Sequence, residues 1–478
     1  MLKPRGTDEH VVGVAVDARR NLLAVNQAYE DRAAVAALVN RAIRAAGLGE
    51  ANPAAPLADI ISPGSTVLLK PNWVLDVNHS KAGMECMVTH PTVLLAALDE
   101  VMKARPGRVI IGDAPIQMCK LGQIITDDLR VRVAARATCP SDIVDFRRTV
   151  AESQDMGTGV RTAVRDQSRY VLFNLGSDSL LEPVSTSARR FRITNYDPRL
   201  LAETHGPGHH QYLVCREAFE ADVVIGLPKL KTHRKAGLTG ALKNLVGING
   251  NKDFLPHHRR GSVEEGGDCY GRRSLTLNGV EEALDRANMH IGEPEYTRWY
   301  DLAMKIWRRQ DRRAPTQVEG SWHGNDTVWR TVLDLNRLLQ YGRADGTLSD
   351  TRMRRVFSLT DAIVAGEKEG PLAPSPRVLG CVTFSSSSPF ADLVHAALMG
   401  FDGQRLPVVR EGFGRFRYPL TSRPAADARV SADGVLMTLE EAASALGQRF
   451  EAPATWAGHI EREAQHASSD PAGRLRRA

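Results

Sequence analysis

The sequence lacks most of the features that assign a function quickly. Its six cysteines are scattered as Cys86, Cys119, Cys139, Cys215, Cys269 and Cys381, and no two form a CxxC pair. Iron–sulfur and structural zinc sites rely on such spacing, because one loop must offer two thiolates to the same metal. The chain is therefore expected to carry no iron–sulfur cluster. No GxxxxGK[ST] string occurs, which excludes a Walker-type phosphate loop. No run approaches the ~18 apolar residues that a membrane span needs. The opening MLKPRGTDEH has no apolar core of the kind a secretory signal carries. The expectation is a cytoplasmic protein with reduced thiols and no membrane contact.

What is present is an ordinary globular composition of 42% hydrophobic and 25% charged residues over 478 positions. Net charge is 62 − 56 = +6, too small over this length to argue for nucleic acid, so clustering matters more than the total. The length suits one large domain with elaborations. We read a single α/β domain over 1–455 with a helical insertion around 274–341, then a flexible tail over 456–478.

Taken in order, Val11–Val16 reads as a strand and Glu30–Leu48 as a helix. Ser65–Lys70 is a continuous apolar run that ends in Lys70, Pro71 and Asn72, and Arg108–Ile111 is another that ends in Gly112 and Asp113. Continuous runs suit strands covered on both faces. Pro91–Arg105 between them reads as a helix with proline in its first turn. Ser141–Phe146, Tyr170–Leu175, Phe191–Thr194 and Asp222–Gly226 add strands, Gln211–Glu220 a helix, and Arg147–Arg169 a surface excursion. Beyond 270 the pattern predicts helices over Ser274–Arg313, Gly324–Tyr341, Pro389–Met399 and Thr438–Leu446, with strands at Arg355–Val364 and Arg377–Phe384. The fold class is α/β, a largely parallel sheet flanked by helices, with helical insertions. Polar residues then gather at the C-terminal ends of strands, the edge where ligands bind in such sheets.

The most informative stretch is Asp222–Arg260. A buried strand is followed at once by Lys229, Lys231, His233, Arg234 and Lys235. A short helix over about 238–246 then carries Lys243 and Asn244, and a loop carries Lys252, Asp253, His257, His258, Arg259 and Arg260. No core needs that much positive charge, and lysines beside a helix N-terminus suit a phosphate or carboxylate. Candidates for holding the anion are Lys70, Asn72, Lys229, Lys243 and Asn244. Candidates for chemistry are Lys231, His233, Asp113 and Asp326. Asp361 and Glu367 are candidate ligands of a divalent cation such as Mg²⁺. Each has a plain structural rival. Lys70 can be a strand-terminal lysine, Asp113 a turn cap and Asp326 a helix N-cap. Asp334 can pair with Arg330 one turn earlier.

Several strings together resemble one family: Val67–Trp73 (VLLKPNW), His90-Pro91, Gly112–Ala114, Pro228–His233 (PKLKTH), Thr239–Asn244 (TGALKN), Gly324–Trp329 and Asp361–Gly370. They resemble the domain-of-unknown-function 362 family, over about 64–402. The resemblance implies a ferredoxin-like cysteine cluster in many members, a pattern from which this chain departs. Members similar to this one occur among biosynthetic enzymes.

The resulting expectation is an enzyme for a small anionic substrate, using phosphoryl, diphosphate or acyl-phosphate chemistry. A lysine, histidine and asparagine clamp would face an acidic metal or base cluster. Proton abstraction next to a carboxylate, as in an isomerase or lyase, is one alternative. A non-catalytic metabolite binder is another. Nucleic acid is not expected as a partner, since only Phe254 interrupts the basic stretch as a stacking platform.

Overall fold

A computed structural model describes residues 8–151, 161–309 and 318–463. Its centre is an eleven-stranded mixed sheet. The strands are β1 (Val11–Val16), β2 (Thr66–Pro71), β3 (Arg108–Asp113), β4 (Ser141–Asp145), β5 (Val223–Leu227), β6 (Lys229–His233), β7 (Gly237–Thr239), β8 (Arg355–Glu369), β9 (Ala373–Ser385), β10 (Arg429–Ala432) and β11 (Val435–Thr438). The main path runs β11-β10-β1-β9-β8-β5-β2-β3-β4, and β6 leaves it to pair with β8 and β7. The β8-β5-β2-β3-β4 half is parallel throughout, while the long β8–β9 hairpin brings in an antiparallel edge.

The apolar runs of the parallel half are covered on both faces. Val67 and Leu69, Val109 and Ile111, and Val223 and Ile225 pack with α1 (Arg32–Ala45) and α2 (Pro91–Lys103). Their alternates Leu68, Ile110 and Val224 pack on the opposite face with Leu335, Leu338 and Leu339 of the helix Val328–Tyr341. Alternate side chains of a strand point to opposite faces, so burial on both leaves no polar position inside the run. The ends of β2, β3 and β5 lie on one edge of the sheet.

The structure differs from the sequence reading in several places, among them Gly237–Thr239, which is a strand paired with β6 where a helix from about 238 was expected. Residues 209–215 form a strand, not a helix, paired with Tyr170–Asn174; only Glu217–Glu220 is helical. Pairing and the burial of Tyr212, Leu213 and Val214 override the helical spacing there. Lys229–His233, past the break at Pro228, is itself a strand. Arg147 is not part of a surface excursion. It is buried and donates to Asp145 and to the carbonyls of Ile116, Gln117 and Cys119, anchoring the loop after β3. Packing also continues past 455, since Trp456 and Ile460 are buried. Residues 464–478 of the expected tail lie outside the described residues.

The predicted insertion forms a helical pair, Leu275–Met289 and Pro294–Trp307, with its own small core of Val280, Ala283 and Ala303. Ile291, in the turn between them, reaches the cleft described next.

Candidate functional site

A cleft of about 490 Å³ opens beyond the ends of β2 and β3 and alongside β6. Six of the residues expected at a site line it: Asn72, Asp113, Lys231, His233, Lys243 and Asn244. Lys235, Lys252, His257, Thr239 and Arg161 line it too, none of them among the individual candidates named from the sequence. Three of these, Lys235, Lys252 and His257, belong to the same basic stretch, so the signal was the density of charge rather than any one position. The cleft's lining also has an apolar part that includes Val74, Ile116, Met118, Ile193 and Leu372.

Two kinds of lysine meet here. Lys70 is fully buried behind the wall. Its Nζ lies 2.7 Å from Asp113 Oδ1 and 3.2 Å from Asn244 Oδ1. Asp113 also accepts from the backbone N–H of Trp73 at 2.6 Å and of Ala114 at 2.8 Å. These three donors fix the carboxylate, which ties the ends of β2 and β3 together. Gly247 is needed against it, because a Cβ there would sit 1.8 Å from Asp113 Oδ1.

Lys231, Lys235, Lys243 and Lys252 behave otherwise. Among the described residues none of them pairs with a carboxylate. Lys231 Nζ donates to Asn72 Oδ1 at 2.8 Å and to the carbonyl of Met87. Lys252 donates to the carbonyl of Ala114 at 2.7 Å, and Lys235 to Thr194 Oγ1 at 2.9 Å. Burial pushes Lys231 down to about 7. Burial, with Lys252 and Lys235 nearby, pushes Lys243 down to about 7 as well. Burial brings Lys252 to about 8, although Asp113 pulls the other way. Desolvation and mutual repulsion both disfavour the charged form, and a bound anion would relieve both.

The helix that carries Lys243 is a single turn, Ala241–Asn244, and its N-terminus is already taken. Asp392 accepts from the N–H groups of Ala241 at 2.6 Å and Leu242 at 3.0 Å. The expectation that its freed amides receive the anion is therefore overturned, and any anion is left to side chains.

Of the acidic candidates Asp113 lines the cleft, whereas Asp326, Asp361 and Glu367 do not. Asp361 is fully buried beside Lys229, with Oδ2 2.5 Å from its Nζ. Tyr29 donates its hydroxyl to Asp361 at 2.8 Å, and the N–H of His90 donates at 3.0 Å. Lys229 also reaches Tyr29 Oη at 2.8 Å and the carbonyl of Val364 at 3.2 Å. Neither Lys229 nor Asp361 lines the cleft. The cluster serves an irregularity in β8, where Lys229 pairs with Asp361 but Lys231 pairs with Gly366. That bulge leaves backbone groups without ladder partners, and the cluster supplies them. Ile363 N–H reaches Asp361 and Val364 N–H reaches Tyr29.

Glu367 accepts instead from Arg377 and from the N–H of Glu451. Asp361 and Glu367 share no site as placed, and the described residues contain no group of three or more histidine, cysteine or acidic side chains arranged for a metal. These two carboxylates, each held by its own partners, do not fit a common divalent cation. Asp326 sits on the surface and accepts from Trp329 Nε1 and Arg330, apart from the cleft. Asp334 is buried beneath Ser179, Tyr212 and Arg337 rather than paired with Arg330.

Among the described residues no helix is long and apolar enough to cross a membrane. A thylakoid-associated protein of Synechocystis sp. is 26% identical over 195 residues, covering 41% of this chain and 42% of its own length. The match thus spans under half of that relative. A crystal structure from Thermotoga maritima aligns over 75% of this chain and 54% of that one at 9% identity and a TM-score of 0.32, a likeness that carries no argument. The strings VLLKPNW, PKLKTH and TGALKN all fall within the match that settles membership: over residues 67–397 the chain belongs to the family described as domain of unknown function (DUF362).

Proposed function

We propose that this chain is an enzyme for a small anionic metabolite, phosphorylated or carboxylated, bound in the cleft by Lys231, Lys235, Lys243 and Lys252. One observation carries the reading: these four ammonium groups share a cleft and none has a carboxylate partner among the described residues. Crowding cations this way is unfavourable in the free protein, and a ligand of opposite charge reverses the sign. Asn72 and His233 add directional hydrogen bonding. The apolar part of the lining gives the remainder of the ligand a dry surface, so the preferred compound joins a compact anionic group to an apolar portion.

The test is thermal shift and calorimetry with inorganic phosphate, pyrophosphate, phenyl phosphate and oxalate, on the native chain and on Lys243→Met. Anions stabilise the native chain, and phenyl phosphate does so more than phosphate. Lys243→Met lowers anion affinity by roughly 10–100-fold, the equivalent of one charge-assisted hydrogen bond of about 1.5–3 kcal/mol. Equal stabilisation of both proteins, or of neither, rejects the reading.

A further inference from the structure

Two imidazoles in the cleft have their ring protons fixed from behind, and in opposite senses. His257 Nδ1 lies 2.7 Å from the carbonyl oxygen of Leu255. A carbonyl oxygen only accepts, so Nδ1 carries the hydrogen and Nε2 of the neutral ring presents a lone pair. His233 Nδ1 accepts from the backbone N–H groups of Lys235 at 3.0 Å and Ala236 at 3.1 Å. That nitrogen is bare, and the hydrogen of the neutral ring is on Nε2. Both rings line the cleft with Lys231 and Lys243. Neither Nε2 has a hydrogen-bond partner among the described residues.

Building on the anion clamp, we propose that the cleft performs proton abstraction from the carbon next to a carboxylate, with His257 Nε2 as proton acceptor and His233 Nε2–H as a fixed donor to the carboxylate. The C–H bond breaks and its proton moves to His257 Nε2. The electron pair delocalises into the carboxylate to give an enediolate. The added negative charge falls on the oxygen that faces His233 and the lysines, where donors aimed in advance stabilise it without rearrangement. His257 becomes an imidazolium and keeps its Nδ1–H on Leu255. Return of the proton to either face of the carbon, or loss of a neighbouring group, completes an isomerase or lyase cycle. Three carboxylates line the cleft: Asp113 accepts from Lys70 and two backbone amides, Glu369 pairs with Arg234, and Glu319 acts electrostatically on Lys235. The role of base goes to the imidazole because its Nε2 carries a lone pair with no partner among the described residues.

The lysines also set when the base works. Burial is the first cause that holds both rings well below the usual histidine range. Lys243, Lys235 and Lys252 add to it at His257, and Lys243, His257, Lys231 and Lys235 add to it at His233. An anion that cancels those charges makes His257 more basic, so proton abstraction begins only with the substrate seated.

Oxalate, a planar dianion resembling an enediolate, is the probe. The full chain is labelled with [15N]histidine, and long-range proton–nitrogen correlation spectra are recorded with and without oxalate. His257→Gln and His233→Gln assign the signals. The expected result is an unprotonated Nε2 on His257 and a protonated Nε2 on His233. Oxalate shifts both signals and raises the pH at which His257 titrates. Lys243→Met lowers oxalate affinity about tenfold or more. Oxalate that binds while both rings share one tautomer, or while neither Nε2 responds, overturns the proton-transfer assignment alone. Failure of oxalate, phosphate and pyrophosphate to bind at all overturns the clamp and this assignment with it.

Discussion

Lys229 and Lys231 stand two residues apart on one strand and do different work. Lys229 is neutralised by Asp361 and Tyr29 inside the sheet. Lys231 lines a cleft without a carboxylate partner. Lys70 and Lys243 repeat the contrast, one paired with Asp113 and the other without an ion-pair partner among the described residues. A buried charge with a partner holds chain segments together, whereas charges without partners are a standing cost that a ligand can remove. The distinction is not whether a lysine is buried but whether the fold supplies its counter-charge.

That comparison breaks first at its paired side. Asp361→Ala leaves Lys229 buried without a counter-ion and strips Tyr29 and His90 of an acceptor. Chemical denaturation should report a loss of roughly 3–5 kcal/mol. Lys243→Met should leave stability unchanged or slightly raised while anion binding falls. If both variants destabilise alike, the two classes of lysine are not distinct.

The second effect is on pH. Free Lys231 and Lys243 release their protons near 7 and Lys252 near 8, against an ordinary value of 10.5. The unfolded chain therefore binds more protons from about pH 7 upward. The ligand-free protein gains stability as pH rises through that window. A bound anion favours the charged form, so binding takes up protons near pH 7.5. Calorimetry in two buffers of different ionisation enthalpy measures that uptake, and its absence removes the argument from depressed lysines. The smallest effect is at the rim, where the half-exposed pair Arg234–Glu369 spans 3.1 Å. Arg234→Ala should change stability by about 0–1 kcal/mol, within the error of most denaturation curves.

The fold was largely legible because its parallel strands are buried on both faces, which writes unbroken apolar runs such as VLLK and VIIGD. The strand at 209–215 was not, because its identity comes from pairing with Tyr170–Asn174 rather than from local pattern. In the site, Lys231, His233, Lys243 and Asn244 of PKLKTH and TGALKN line one cleft, whereas Lys229 of the first string does not. The acidic wall failed for a specific reason. Asp361 reads in sequence like any acid at a strand end, and only the bulge in β8 reveals that its oxygens are occupied. The anion's expected seat on a helix N-terminus failed likewise, because Asp392 comes from about 150 residues away in sequence. His257 was hidden for a third reason. A histidine's usefulness depends on which nitrogen is free, and that depends on Leu255, two residues back but invisible without a backbone.

The bulge in β8 has a reach beyond its own strand. Its Val364 N–H is satisfied by Tyr29, a residue 335 positions earlier in the chain. The β8–β9 hairpin continues from there to Leu372 and Ala373 at the mouth of the cleft. The N-terminal segment is therefore a remote tether for the entrance. A chain trimmed to begin after Tyr29 would keep the lysines that line the cleft but lose both β1 from the central sheet and the hydroxyl that satisfies the bulge.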